Sequence, residues 1–147
     1  MRREGASAID AAARDAILAR IASIPSTATL GLERIELADG RCSLFAPRSR
    51  GHDGIFDSLH GGIVTTVADS AAAFAILTRV GADAALATTD VSLRFLARCT
   101  TGIHVDAEVV KLGRALVPVH VDVFDEAHRH VATGHVCYMR FRSRDER

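Results

Sequence analysis

Between residues 61 and 79 the chain is apolar on nearly every side of a helical wheel. Ile63, Val64, Val67, Ala68, Ala71, Ala72, Ala75 and Ile76 leave no broad polar stripe to face water. A helix apolar all round belongs inside a core. Its many alanines suit close approach to a sheet that wraps it. The rest of the chain must supply that sheet, and it reads as strands.

Four stretches that read as strands follow, at residues 85–96, 103–112, 114–124 and 130–141. In the third, Val117, Val119, Val121 and Val123 point one way, while Pro118, His120 and Asp122 point the other. Pro118 cannot donate to a ladder, so an edge, a bulge or a gap in pairing is expected there. Residues 125–128 turn into the last strand. Upstream, Thr29–Leu37 alternates, Ala38-Asp39-Gly40 turns, and Arg41–Ala46 returns, a hairpin signature. The polar, glycine-rich residues 47–57 read as a loop. Residues 7–23 carry Ile9, Ala13, Ile17 and Ile21 at helical spacing. Ser7 and Asp10 have capping-box spacing, Asp10 and Arg14 can pair at i,i+4, and Pro25 with Ser26 ends the helix. The class is α+β, with a largely antiparallel sheet packed on one central helix. An N-terminal helical segment (1–26) precedes the main unit (27–147), within one domain overall.

The 147 residues suit one domain. Lys plus Arg and Asp plus Glu are equal at 18 each, so the basic field of a nucleic-acid binder is missing. No apolar run long enough to span a membrane is free of charge. Met1-Arg2-Arg3 hints at a signal peptide, but Asp10, Arg14, Asp15 and Arg20 interrupt any apolar core for it. A cytoplasmic protein is expected. Cys42, Cys99 and Cys137 are odd in number and far apart, which predicts neither a disulfide framework nor a zinc site.

The chemistry concentrates at His60-Gly61-Gly62 and Asp69. A carboxylate in an apolar run is costly unless something uses or compensates it. Asp69 is either a reactive group or a half-buried residue bonded to Thr65, Thr66 or a neighbouring strand. The first turn of a helix has unpaired N–H groups and partial positive charge, and glycine lets a carbonyl approach them. Gly61 and Gly62 suit that role, or are turn glycines. His60 either positions a ligand or braces the turn. The other histidines (His120, His128, His130, His135) show no familiar metal-ligand spacing, so no metal is expected. The cysteines have no evident activating partner. Arg94, Arg98, Lys111 and Arg114 lie near strand ends; on residue type alone they are solvated charges.

Taken together, the element order, His60-Gly61-Gly62, Asp69 nine residues on, the strand Thr89-x-x-x-Leu93-x-Phe95-Leu96 and Gly113-Arg114 resemble the hotdog-fold acyl-CoA thioesterases of the phenylacetate-degradation and 4-hydroxybenzoyl-CoA type. The resemblance covers about residues 27–141. It implies an antiparallel sheet wrapped around a long central helix. It also implies a homodimer paired edge to edge, with a tetramer as a dimer of dimers, and a site at the dimer interface. The substrate would be an acyl-CoA and no separate cofactor is needed. Asp69 would be nucleophile or general base, the Gly61 N–H would polarise the thioester carbonyl, and His60 would hold the turn or position the thioester. Arg94, Arg98 and Arg114 are the candidates for coenzyme A phosphates, which favour Arg and Lys. Dehydratases share the fold and are the alternative enzyme class; a non-catalytic acyl-CoA binder is the other alternative.

Two positions depart from the family. Gly54 and Asp57 stand where an amide and a glycine are common, leaving His52 or Asp53 as replacements for the amide. The strand ends Phe95-Leu96-Ala97-Arg98 in place of Phe-Leu-Arg-Pro. Phe56, Phe74 and Ile76 either line an acyl pocket or belong to the core. Asp69 lies about 12 Å along the helix from Gly61 at 1.5 Å per residue, too far for one acyl group to touch both. The expected site is therefore composite, with Gly61 from one chain facing Asp69 of another.

Overall fold

The computed structural model describes residues 7–141. The Met1-Arg2-Arg3 start lies outside them. Two helices, α1 (Ala11–Ser23) and α2 (Pro25–Leu30), lead into the hairpin β1 (Glu33–Ala38) and β2 (Arg41–Ala46). A loop with a short 3₁₀ turn at Arg50–His52 precedes the long helix α3 (Gly61–Val80). The strands β3 (Ala85–Phe95), β4 (Ile103–Val109), β5 (Leu116–Asp125) and β6 (His130–Phe141) follow. The six strands form one sheet in the order β1-β2-β4-β5-β6-β3, with every neighbouring pair antiparallel.

The sheet wraps α3, as the all-round apolar pattern requires. Ala68, Ala71, Ala72 and Ala75 are fully buried, and Val117, Val119, Val121 and Val123 face them from β5. Fully burying a valine contributes about 1.5–3 kcal/mol, so this inner face carries much of the fold's stability. Ile17 and Ile21 of α1 join the same core. Phe74 and Ile76 are buried at 2% and 0% exposure; they are core residues, and of the three candidate pocket residues only Phe56 is exposed. By length and composition α3 also qualifies as a membrane span, but its apolar surface is occupied by the sheet.

The N-terminal region differs from the sequence expectation. Asp10, not Ser7, caps α1, accepting from the Ala13 N–H at 3.2 Å. Pro25 ends α1 but also opens α2, because its fixed φ and missing N–H suit a first helical position. Gly31, at φ 63°, closes that turn in the left-handed region. The strand expected from Thr29 therefore begins only at Glu33. The hairpin turn also positions α3. The Gly40 N–H donates to Thr78 Oγ1 at 2.8 Å, and Arg79 pairs with Asp39 at 2.6 Å.

Pro118 lies in an interior strand, where the β4 ladder stops. The Val110 N–H donates to its carbonyl at 2.9 Å, and β4 ends at Val109. The missing N–H thus falls at a gap in pairing. The long strand β3 forms one edge of the sheet.

Candidate active site

The first turn of α3 is built around two glycines and one histidine. His60 is the N-cap: its Nδ1 accepts from the Gly62 N–H at 2.8 Å, and its carbonyl accepts from Ile63 and Val64. Nδ1 is thereby an acceptor, which places the neutral ring's proton on Nε2. A Cβ on Gly62 would lie 2.9 Å from that Nδ1, so glycine is what allows the ring to close on the backbone. A Cβ on Gly61 would lie 3.3 Å from the Phe95 ring. Among the described residues the Gly61 N–H has no acceptor. It is the kind of unsatisfied donor a helix N-terminus presents to an anion.

Gly61 opens onto a cavity of about 690 Å³. Its walls are mainly apolar, from Phe56, Leu59, Val64, Phe95, Leu96 and Val131. Arg98 stands at the same cavity, and one of its amino groups donates to the Phe56 carbonyl. The segment before His60 is held by Arg48. Its Nε and Nη2 grip both oxygens of Asp53 at 2.8 and 2.6 Å, Nη1 donates to the Thr100 carbonyl at 2.7 Å, and Nη2 donates to that of Asp57 at 3.1 Å. The guanidinium's hydrogen bond holds Asp53 below the usual carboxylate range, outweighing its desolvation. Asp53 is therefore engaged as a loop clamp. His52 contributes its carbonyl, which accepts from the His60 N–H at 2.9 Å. Neither is seen replacing the amide absent at Gly54.

Asp69 stands apart from this cavity. Both its oxygens accept from Thr88 Oγ1, at 3.0 and 3.2 Å, and its carbonyl accepts from the Tyr138 hydroxyl at 3.0 Å. Burial pushes the Tyr138 phenol up, so it stays a neutral donor. Asp69 is thus half-buried beside β3, the edge strand, and not bonded to Thr65 or Thr66; those hydroxyls donate to the Gly61 and Gly62 carbonyls. Thr88 and Tyr138 escaped the sequence reading. Tyr138 is the only tyrosine in the chain, and its position on the inner face of β6 is the one signal that could have drawn notice.

The three candidate arginines do not converge within one chain. Arg98 is at the cavity. Arg94 pairs in register with Thr133 on the outer face of the sheet. Arg114 sits in the β4–β5 connection, by the same end of the sheet as the β1–β2 turn, and far from Gly61. On the outer face, Asp122 accepts from His120, His130 and Thr133. Burial alone would raise its pKa, but the bonds from Thr133 and His120, the charge of His120 and the bond from His130 together hold it low. Among the described residues, no group of three or more His, Cys, Asp or Glu has metal-binding geometry. The Cys42 thiol is pushed up by burial and by the charge of Asp106, which makes it inert.

The thioesterase superfamily model matches residues 56–132. The chain resembles the solved structure of a thioesterase family protein from Silicibacter pomeroyi, at 32% identity and a TM-score of 0.80, over 88% of this chain and 98% of that one. It also resembles the Escherichia coli PaaI protein of the phenylacetic acid degradation operon, at 18% identity and a TM-score of 0.79, over 89% and 94%. A thioesterase from Haemophilus influenzae superposes with a TM-score of 0.76 at 17% identity, over 84% and 87%. No curated protein matches significantly. The chain belongs to the thioesterase superfamily, with the hotdog architecture of a sheet wrapped around a central helix.

Proposed function

We propose that this thioesterase hydrolyses an acyl-CoA to a free acid and coenzyme A, at a site shared by two copies of the chain. The observation that carries the reading is the unsatisfied Gly61 N–H opening onto an apolar cavity. A thioester carbonyl seated there meets a donor among apolar walls, and one such donor is worth about 3–4 kcal/mol. Attack needs a base or nucleophile, and Asp69 is the carboxylate available on the same helix. It lies beside the exposed edge strand β3. Two copies paired antiparallel along β3 run in opposite directions, so the first turn of α3 in one approaches the Asp69 region of the other. This supports a homodimer, with a tetramer as its further association.

In the proposed reaction the Gly61 N–H stabilises the developing oxyanion and His60 keeps the turn in shape. Asp69 either takes a proton from water, whose oxygen attacks the acyl carbon, or attacks that carbon itself to give a mixed anhydride that water then hydrolyses. In both cases the carbon–sulfur bond breaks and coenzyme A leaves as the thiol, with its proton drawn from water. Arg98, at the cavity, is the first candidate for the coenzyme A phosphates; Arg94 and Arg114 contribute only from the outer face or from a partner copy. No metal or redox group is required. The three free thiols suit a reducing cytoplasm. The test is thiol release from a panel of aryl, short-chain and long-chain CoA esters. Release is expected for part of the panel. Loss of enoyl absorbance without thiol release would transfer the protein to the hydratases.

A further inference from the structure

Three residues with polar side chains line the cavity beside Gly61: Ser58, Arg98 and Cys99. Two of them are already engaged with backbone. Arg98 donates to the Phe56 carbonyl, and Cys99 Sγ donates to that of Thr101 at 3.4 Å. The Ser58 hydroxyl has no hydrogen-bond partner among the described residues. Its backbone, by contrast, is pinned. The Ser58 carbonyl accepts from the Gly54 N–H at 2.8 Å, and the next residue's N–H donates to the Cys99 carbonyl at 2.9 Å. A residue with a fixed backbone and an uncommitted hydroxyl thus lines the cavity three residues before the free Gly61 N–H.

The loop supplies little else. Gly54 has no side chain, although a Cβ there would make only ordinary contact with the His60 ring, at 3.4 Å from Cδ2. A tetrahedral oxyanion held by one backbone N–H alone, against walls of Phe, Leu and Val, is poorly compensated. Oxyanion sites generally use more than one donor for this reason.

We infer that Ser58 is a catalytic residue, its hydroxyl donating a second hydrogen bond to the carbonyl oxygen that the Gly61 N–H polarises. The inference rests on the thioesterase reading of this cavity. Ser58 forms no covalent bond and keeps its proton while the acyl carbon becomes tetrahedral and the carbon–sulfur bond breaks. Its contribution therefore falls on the transition state and not on ground-state binding.

The test compares wild type, Ser58→Ala, Ser58→Thr and Asp69→Ala with whichever acyl-CoA gives the fastest thiol release. Ser58→Ala is expected to lower kcat by about 10²-fold with KM unchanged, as for an interaction made only in the transition state. Its melting temperature should match wild type, and Ser58→Thr should keep most of the rate. A Ser58→Ala enzyme as fast as wild type overturns the assignment, and so does equal loss in the Ala and Thr variants. If Asp69→Ala is inactive while Ser58→Ala is not, only the role of Ser58 fails. A wild-type protein that releases no thiol overturns both readings.

Discussion

The first turn of α3 and the Asp69 turn belong to one helix but are finished to different degrees. At the first turn everything is in place within one chain: the His60 cap, the two glycines, the Phe95 ring and an apolar cavity. At Asp69 the carboxylate is held from its own side by Thr88, next to the edge strand β3, and it lines no part of that cavity. In the proposed reaction, oxyanion stabilisation and attack are thus separated along a rigid rod. A helix cannot bend one end back onto the other, so a reaction that needs both must recruit the second from elsewhere. That is the physical case for a site made by two copies.

Substitutions sharpen this contrast, beginning with the largest effect. Asp69→Ala should cost about 10³-fold in kcat, the scale of a lost general base, with little change in unfolding free energy. Gly61→Val places a β-branched side chain where a Cβ already comes within 3.3 Å of the Phe95 ring. The ring, a wall of the cavity, must yield, and kcat/KM for thiol release should fall by about 10²-fold, as misplacement of a reacting group does. Tyr138→Phe removes the donor to the Asp69 carbonyl. Urea unfolding should show a loss of about 1 kcal/mol, the usual net worth of a hydrogen bond, with a smaller effect on activity.

The smallest effect concerns the outer face, away from both turns. Asp122 has a depressed pKa, so its contribution to stability is present above the ordinary carboxylate value, about 3.9. That contribution is lost as pH falls from there through the lower folded value. Asp122→Asn should therefore be less stable than wild type near pH 5, and the gap should close as the medium is made more acidic. A gap that widens below pH 4 would contradict the charge assignment.

Legibility in the sequence followed the range of the interactions. The central helix was readable because its apolar residues sit on all sides, and β5 because four valines alternate. Asp69 stood out as a charge in an apolar run. α2 was missed because Pro25 acts at once as terminator and as first helical residue, and only the φ of Gly31 reveals where the turn closes. Thr88 and Tyr138 could not be connected to Asp69 from spacing. They lie 19 and 69 residues away, and only the sheet's wrapping of α3 makes them neighbours. Arg48 was equally hidden, since its partners come from two separate loops. Arg114 was grouped with Arg98 by resemblance, yet the strand directions put them at opposite ends of one chain.

The most direct measurement mixes two damaged chains. Asp69→Ala and Gly61→Val are unfolded, combined in equal amounts, refolded together and assayed for thiol release. In a two-fold dimer with composite sites, each mixed pair carries one site with both defects and one site with none. The mixture should recover about a quarter of wild-type activity, as random pairing in a symmetric dimer gives. If each site lay within a single chain, every site in the mixture would carry a defect. Activity no higher than the sum of the two variants alone would contradict the shared site.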